Sequence, residues 1–180
     1  KSGASKNTIL ALEKEKVIFR KEIVKREQEN SFKLPGYKAN IIDLNPIQKK
    51  ASEYLINLIS QKKFNAVLLD GVTGSGKTEV YFQAILETLK LNKQVLVLLP
   101  EIYLSIEWNK RFNDNFGLFP LLWHSSLSNK DRRKTWNKVN QGKINAIVGA
   151  RSALFLPYKK LGLIIIDEEH DHSYKQEDGV

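Results

Sequence analysis

Apolar and polar positions follow two different patterns along most of this chain. Short apolar runs without polar alternation are separated by longer stretches in which apolar residues recur every three or four positions. The unbroken runs are typical of strands buried on both faces, and the three-to-four spacing is typical of amphipathic helices. Their alternation from residue 44 onward predicts an α/β fold with a parallel sheet that helices cover on both faces.

The first predicted helix of this region spans 46–63, with Pro46 at its start and Asn45 as N-cap. Further helices are predicted at 77–91, 104–116 and 128–142. Strands are predicted at 65–71, 94–100, 119–124, 145–150 and 161–167. The apolar face of the first helix is expected to consist of Ile47, Ala51, Leu55, Leu58 and Ile59.

Residues 1–27 have a weaker pattern. Ser5 is a good N-cap for a short helix, and Val17, Phe19 and Ile23 alternate with charged residues as in a strand. The segment is too small to bury a core of its own, so we interpret it as the end of a small helix-plus-wing domain. A disordered charged leader is the alternative. The polar segment 28–43 is predicted to be a linker to a domain at 44–180.

The composition narrows the choice of partner. The net charge is +9 with 29 lysine and arginine residues, which favours a polyanion such as nucleic acid, although solvated surface lysines would give the same total. The chain has no cysteine, which excludes disulfides and thiolate metal sites within these residues and fits a reducing, cytoplasmic setting. No apolar run is long enough to span a membrane, so we expect no membrane partner.

A glycine-rich segment between a predicted strand and a predicted helix matches the phosphate-loop pattern G-x-x-x-x-G-K-[ST]. In this pattern backbone N–H groups and the helix N-terminus surround phosphate oxygens. Lys77 would reach the outer phosphates of ATP, and the Thr78 hydroxyl would hold Mg²⁺. The expected ATP-binding residues are Gly71, Val72, Thr73, Gly74, Ser75, Gly76, Lys77 and Thr78.

Acidic residues directly follow the last predicted strand, which we expect to be buried. Asp167 is expected to bind Mg²⁺, and Glu168 to orient and deprotonate the water that attacks the phosphate. Gln48 precedes the phosphate loop, and its side-chain amide is suited to reading adenine, although an ordinary exposed glutamine is the alternative. Loops after three other strands present backbone N–H groups, hydroxyls and the Arg151 guanidinium, which suit phosphate contacts. A surface salt bridge is the alternative for Arg151, and a satisfied histidine at a strand end is the alternative for His124.

The segments "GVTGSGKTEVY", "LLPEI", "HSSLS", "GARSALF" and "LGLIIIDEEHDHSYKQ" together resemble the primosomal replication-restart helicases (the primosomal protein N′ family) of superfamily 2. The resemblance implies a RecA-like P-loop NTPase domain preceded by a partial winged-helix segment. It implies Walker A and Walker B boxes at 71–78 and 167–170, with Lys77, Glu168 and His170 as catalytic residues, and a coupling loop beginning at Tyr174. Implied DNA contacts are Pro100, Glu101, Ile102, His124, Ser125, Arg151, Ser152, Lys175 and Gln176.

By the same resemblance, the protein would be an ATP-dependent helicase that moves 3′ to 5′ on forked or single-stranded DNA during replication restart. Single-stranded DNA-binding protein and primosome-loading proteins would be its partners. A second motor lobe with an arginine finger and a cysteine-rich zinc module would lie beyond this chain, so the chain alone would bind ATP but hardly hydrolyse it. Two alternatives remain: another superfamily 2 DNA or RNA translocase, or a nucleotide-dependent binding module without motor activity.

Overall fold

The structure, a computed structural model, describes residues 5–15, 17, 43–100 and 106–175. The chain divides into two compact units, Lys1–Lys33 and Leu34–Val180. In the first unit, helix α1 spans Lys6–Lys14, and the Ser5 hydroxyl caps it by accepting a hydrogen bond from the Thr8 N–H at 3.2 Å. The predicted strands around Phe19 and Ile23, and nearly all of the predicted linker, lie outside the described residues.

The second unit contains a parallel sheet of four described strands in the order β2-β3-β1-β4. Its strands are β1 (Gln94–Leu98), β2 (Leu121–Trp123), β3 (Ala146–Gly149) and β4 (Leu161–Ile166). Its helices are α2 (Pro46–Ser60), α3 (Lys77–Lys90), α4 (Ile106–Phe116) and α5 (Asn129–Asn140). Two 3₁₀ helices follow β3 and β4, at Arg151–Phe155 and His172–Tyr174. Within the described residues, no helix is long and apolar enough to cross a membrane.

The central strand β1 supplies both halves of the core. Val95 and Val97 pack on one face with α3 and α4, where Phe82 and Phe112 are fully buried. The alternate residue Leu96 packs on the other face with Val139 of α5 and with β3. Because successive side chains of a strand point to opposite faces, the apolar run of β1 buries both sides of the sheet. The predicted two-faced architecture is therefore confirmed for this strand.

Two sequence predictions about strands are wrong. Residues 65–71 form no strand, and Val67 and Leu68 are exposed. Strand β4 forms where expected, but it is the last described strand of the sheet, and Ile164 and Ile166 are exposed rather than buried. An apolar run becomes a buried strand only when neighbours supply hydrogen bonds and cover its faces. None of the described strands pairs with the second edge of β4 or with 65–71.

Helix α2 begins as predicted, but one residue of its expected apolar face does not pack. Asn45 caps the helix through the N–H groups of Ile47 and Gln48, each at 3.0 Å. Ala51, Leu55, Leu58 and Ile59 are half-buried, whereas Ile47 is 82% exposed. Ile47 lies in the first turn, so the helical period is right while the apolar face begins one turn later.

A buried glutamine joins three segments at the N-terminal ends of the strands. The side-chain oxygen of Gln94 accepts hydrogen bonds from the N–H groups of Lys159 and Lys160, both at 2.8 Å. Its amide nitrogen donates to the carbonyls of Val139 and Ile144 at 3.3 and 2.9 Å. Gln94 is 1% exposed, and these four bonds satisfy its whole amide.

Candidate functional site

The glycine-rich loop ends at the N-terminus of α3. Gly74 and Gly76 have φ angles of 78° and 84°, in the left-handed region that glycine adopts at little cost. Gly76 is the N-cap of α3, and no side chain caps the helix there. The first N–H groups of α3 therefore point out of the helix end without a side-chain acceptor, which is the arrangement that binds phosphate oxygens.

Lys77 is folded back over this loop. Its ammonium group donates hydrogen bonds to the carbonyls of Gly71 and Val72 at 2.6 and 3.3 Å. These two hydrogen bonds keep the Lys77 ammonium at the loop that is predicted to bind phosphate. A phosphate would be the stronger acceptor for this cation, since hydrogen bonds between two charged groups exceed those to neutral carbonyls.

Gln48 contacts the phosphate loop directly. Its amide nitrogen donates to the Ser75 carbonyl at 2.9 Å, and its side-chain oxygen accepts from the Asn45 N–H at 2.9 Å. The side chain therefore lies beside the predicted nucleotide site, with both ends of its amide bound to the protein. Recognition of adenine by Gln48 stays a prediction. It requires Gln48 to exchange at least one of these two hydrogen bonds for a bond to the base.

Tyr81 links the two halves of the predicted site. Its buried hydroxyl donates to the Asp167 carboxylate at 2.8 Å and accepts from the Trp108 indole at 3.4 Å. Burial raises the pKa of Tyr81, the Asp167 charge raises it further, and hydrogen bonding to Trp108 and Thr78 opposes these effects. The phenol therefore joins α3, the helix that begins at the phosphate loop, to the carboxylate after β4. The sequence motifs did not single out Tyr81, although its place one helical turn after Thr78 is a signal.

Asp167 is held by three further backbone contacts. Its N–H donates to the Leu98 carbonyl at 3.1 Å, which places it immediately beyond β1 and β4. Its second carboxylate oxygen accepts from the Glu168 N–H at 3.1 Å. The Tyr174 hydroxyl donates to its carbonyl at 3.0 Å. Burial raises the pKa of Tyr174, and the neighbouring Asp167 charge adds to the increase.

Glu168 has backbone strain at the place where the chemistry is expected. Its φ angle is 51°, a conformation that is uncommon for residues other than glycine. Its carboxylate is 3.5 Å from the exposed His170 ring, and the Asp171 N–H donates to its carbonyl at 2.9 Å. Asp171 in turn accepts a hydrogen bond from the Ser173 N–H at 2.8 Å, and this bond lowers the pKa of Asp171.

The predicted DNA contacts lie mainly at the C-terminal ends of the strands. His124 and Ser125 follow β2, and Arg151 and Ser152 follow β3. Arg151 is exposed and donates to the Tyr174 carbonyl at 3.3 Å. Of the other predicted contacts, Lys175 is exposed, Pro100 is buried, and Glu101, Ile102 and Gln176 lie outside the described residues.

The donor set fits Mg²⁺ as an ion shared with bound phosphates. Thr78 and Asp167 supply a hydroxyl and a carboxylate, the oxygen ligands that Mg²⁺ prefers, and Asp167 is held by the Tyr81 hydroxyl. Within the described part of the chain, no cluster of three or more His, Asp or Glu residues could hold a metal by itself. This agrees with Mg²⁺ sites built from one or two protein ligands plus substrate phosphates.

Comparison with known proteins decides the family. The family model described as DEAD/DEAH box helicase matches residues 45–180. The chain belongs to this family. It is 44% identical over 165 residues to the replication restart protein PriA of Rickettsia felis, covering 91% of this chain and 24% of that protein. It is 38% identical over 168 residues to the PriA of Bacillus subtilis, covering 91% of this chain and 21% of that protein.

A solved structure confirms the fold. The structure of RecG bound to a three-way DNA junction matches with a TM-score of 0.64 and 29% identity, covering 72% of this chain and 18% of that chain. The predicted RecA-like fold and the resemblance to replication-restart helicases are both confirmed. The chain spans about a quarter or less of the length of the PriA proteins compared, so most of each relative has no counterpart in it.

Proposed function

We propose that the protein carrying this chain is an ATP-dependent 3′–5′ DNA helicase of replication restart, and that this chain is the ATP-binding half of its motor. One observation carries the proposal: Tyr81 of α3, the helix that begins at the phosphate loop, donates a hydrogen bond to the Asp167 carboxylate. The helix that begins at the phosphate loop and the acidic segment after β4, which are distant in the sequence, are thus joined by one hydrogen bond. The PriA relatives and the RecG–DNA complex support the choice of DNA as substrate.

The residues divide the work of phosphoryl transfer. The N–H groups at the start of α3 and the ammonium of Lys77 hold the phosphates of ATP. Thr78 and Asp167 would hold Mg²⁺, which when bound neutralises charge on the phosphate oxygens. Glu168 orients the attacking water and accepts its proton, and His170 lies close enough to interact with that carboxylate. The chain alone is expected to bind ATP and hydrolyse it slowly. The arginine finger, which contributes about 10³–10⁵ in rate, is expected in the second motor lobe and not in this chain.

A short path connects the predicted DNA loops to this site. Arg151 donates to the carbonyl of Tyr174, and the hydroxyl of Tyr174 donates to the carbonyl of Asp167. A phosphate that binds Arg151 competes for the guanidinium group and can release Tyr174. This arrangement supports the proposed coupling of DNA binding to hydrolysis.

Other parts of the proposal rest on the family resemblance and on composition. We propose that residues 1–27 end a winged-helix domain, 28–43 form a linker and 44–180 form the first motor lobe. Gln48 is proposed to read adenine after exchanging a bond. Single-stranded DNA-binding protein and primosome-loading proteins are the proposed partners, and zinc is expected only in a module beyond this chain. The cytoplasm is the proposed location, given the DNA substrate and the absence of cysteine.

The deciding experiment is steady-state ATP hydrolysis by the whole protein at fixed salt concentration. Forked DNA, single-stranded DNA, blunt duplex DNA and RNA are added in turn. Strong stimulation by forked or single-stranded DNA, without stimulation by RNA, is the expected result. Stimulation by RNA would favour another superfamily 2 motor, and a rate indifferent to every nucleic acid would leave a nucleotide-dependent binding module.

A further inference from the structure

Helix α5 presents an aromatic and basic surface that the proposed function does not use. Trp123, Arg132, Arg133, Trp136 and Asn137 line an open cavity of about 280 Å³, which we call the α5 pocket. The helix carries five basic residues and one acidic residue in its sequence NKDRRKTWNKVN. Of these basic residues Arg132 and Arg133 line the pocket, together with the indole rings of Trp123 from β2 and Trp136 from α5.

Part of the α5 pocket is rigidly built. The Arg132 guanidinium lies over the Trp123 ring at 5.7 Å from its centroid, and it donates to the Ser125 carbonyl at 2.7 Å. The Trp123 indole N–H donates to the Ser152 hydroxyl at 3.1 Å. Trp123 is 9% exposed, so these two residues form a fixed wall rather than mobile side chains.

The other part is open to a ligand. Trp136 is 45% exposed, which leaves a large aromatic surface in contact with water. Arg133 lies one turn before it on the same side of α5 and is exposed. Among the ion pairs and side-chain hydrogen bonds of the described residues, none involves Arg133 or Trp136. An exposed ring beside an uncommitted guanidinium suits a flat group that carries a negative charge.

We propose that the α5 pocket binds one nucleotide of single-stranded DNA, with the base stacked on Trp136 and the adjacent phosphate bound by Arg133. The cavity is smaller than pockets that enclose drug-sized ligands, and its size suits a single base. Stacking on an exposed indole accepts any base, so the pocket would grip the strand without reading its sequence.

The location of the pocket gives the strand a continuous path. Arg132 and Trp123 bind Ser125 and Ser152, which are two of the predicted phosphate contacts. A strand that crosses those loops reaches the α5 pocket next. This inference rests on the proposed DNA-motor function, but it adds a contact to a base where the proposed loops contact only phosphates. An acidic peptide with an aromatic residue is the competing occupant. The continuity of the α5 pocket with the predicted DNA-contacting loops at Ser125 and Ser152 favours DNA.

The test measures binding of fluorescently labelled single-stranded oligothymidylate to the 180-residue chain at fixed salt concentration. An abasic oligonucleotide of the same length and a blunt duplex are the comparison ligands. We expect Trp136→Ala to weaken oligothymidylate binding at least about fivefold and to leave abasic and duplex binding unchanged. Trp136→Phe should retain most of the affinity, because a phenyl ring still stacks. Oligothymidylate should quench indole emission in the unsubstituted chain much more than in Trp136→Phe.

A matched pair of charge variants tests the phosphate contact. Arg133→Gln and Lys134→Gln remove the same charge from adjacent positions of α5, and only Arg133 lines the pocket. Arg133→Gln should weaken oligothymidylate binding more than Lys134→Gln does. Thermal unfolding of each variant shows whether its fold is intact, and Trp136→Gln replaces Trp136→Ala if the latter unfolds.

Several results would overturn the inference. Equal losses for oligothymidylate and the abasic strand would show that Trp136 stacks on no base. Unchanged oligothymidylate affinity in Trp136→Ala would show that the α5 pocket does not bind the strand. It would leave the DNA-motor proposal unaffected. Tighter, Trp136-dependent binding of an oligoglutamate peptide would assign the pocket to protein. If the unsubstituted chain binds none of the DNA ligands, both this inference and its DNA-motor basis lose their support.

Discussion

The two ends of the strands use polar groups in opposite ways. At the N-terminal ends, Gln94 is buried, and its amide makes four hydrogen bonds to backbone groups. At the C-terminal ends, Lys77 and Gln48 bind carbonyls of the phosphate loop by contacts that a ligand can replace, and Glu168 has a strained backbone. One sheet thus separates polar groups that stabilise the fold from polar groups that remain available for chemistry.

The separation has a physical basis. Parallel strands direct the N-termini of the following helices and the connecting loops toward the same edge, where ligands bind. Groups at that edge must exchange partners when a ligand arrives, so their bonds within the protein have to be ones that a ligand can replace. The opposite edge has no such demand, and saturating Gln94 there stabilises three segments at once. Substitutions at the two edges should therefore affect different measurements.

The largest effect is expected for Glu168→Gln in the whole protein. Loss of the group that accepts the water proton should lower the turnover number for ATP by about 10²–10⁴. ATP affinity and the melting temperature should stay close to those of the unsubstituted protein. Glu169→Gln is the matched control, since Glu169 is an exposed neighbour. If Glu168→Gln retains normal turnover, water activation belongs to another residue.

Gln94→Leu should reduce the free energy of unfolding by roughly 2–6 kcal/mol. It removes the four hydrogen bonds of the Gln94 amide, at about 0.5–1.5 kcal/mol each. Urea denaturation of the 180-residue chain measures the change. Gln48→Leu makes the same chemical change at the other edge, where Gln48 is half-buried, and should cost about 1 kcal/mol through its capping bond. Equal losses in the two variants would remove the distinction between the edges.

Lys77→Ala should weaken ADP binding about 10- to 150-fold. This change corresponds to the loss of one hydrogen bond between charged groups, which contributes roughly 1.5–3 kcal/mol. Isothermal titration of the 180-residue chain gives the affinity. Lys90→Ala, at the far end of the same helix, removes the same charge and should leave ADP affinity unchanged. Unaltered ADP affinity in Lys77→Ala would contradict the assignment of the phosphate loop.

The smallest effect is expected for Tyr81→Phe. Loss of its hydrogen bond to Asp167 should weaken Mg²⁺-dependent nucleotide binding about two- to tenfold, since a net hydrogen bond contributes about 0.5–1.5 kcal/mol. Binding measured with and without Mg²⁺ isolates this contribution, and Tyr54→Phe at an exposed tyrosine is the control. A loss of the same size without Mg²⁺ would indicate a purely structural role.

The same variant has a pH signature. The pKa of Tyr81 is higher in the folded protein than in the unfolded chain, where it is about 10. The neutral phenol therefore contributes its full stabilisation of the fold at every pH below about 10. This stabilisation declines as the pH rises from there toward the folded-state pKa. Tyr81→Phe should therefore lose less stability than the unsubstituted chain on going to alkaline pH. A parallel decline in both proteins would contradict the environment assigned to Tyr81.

Most elements of the second unit were predictable because they depend on local pattern. The helix boundaries follow from capping residues such as Asn45 and Ser128, and the buried strands β1 and β3 follow from their unbroken apolar runs. The phosphate loop and the acids after β4 were recognisable because their spacing is itself the chemical requirement. The hydrogen bonds of Tyr81 to Asp167 and of Arg151 to Tyr174 were missed, because each joins elements distant in sequence.

The sequence by itself predicted which residues would carry phosphate chemistry, and it determined the family through motifs that are contiguous in the chain. Tertiary structure decided which apolar runs become strands and which faces are buried. Residues 65–71 and β4 have similar apolar composition, yet only β4 pairs, because β1 supplies its hydrogen-bonding edge. Local propensity sets what a segment can form, and the presence of a neighbour sets whether it forms. The same dependence placed Tyr81 against Asp167 and left Trp136 open to a ligand.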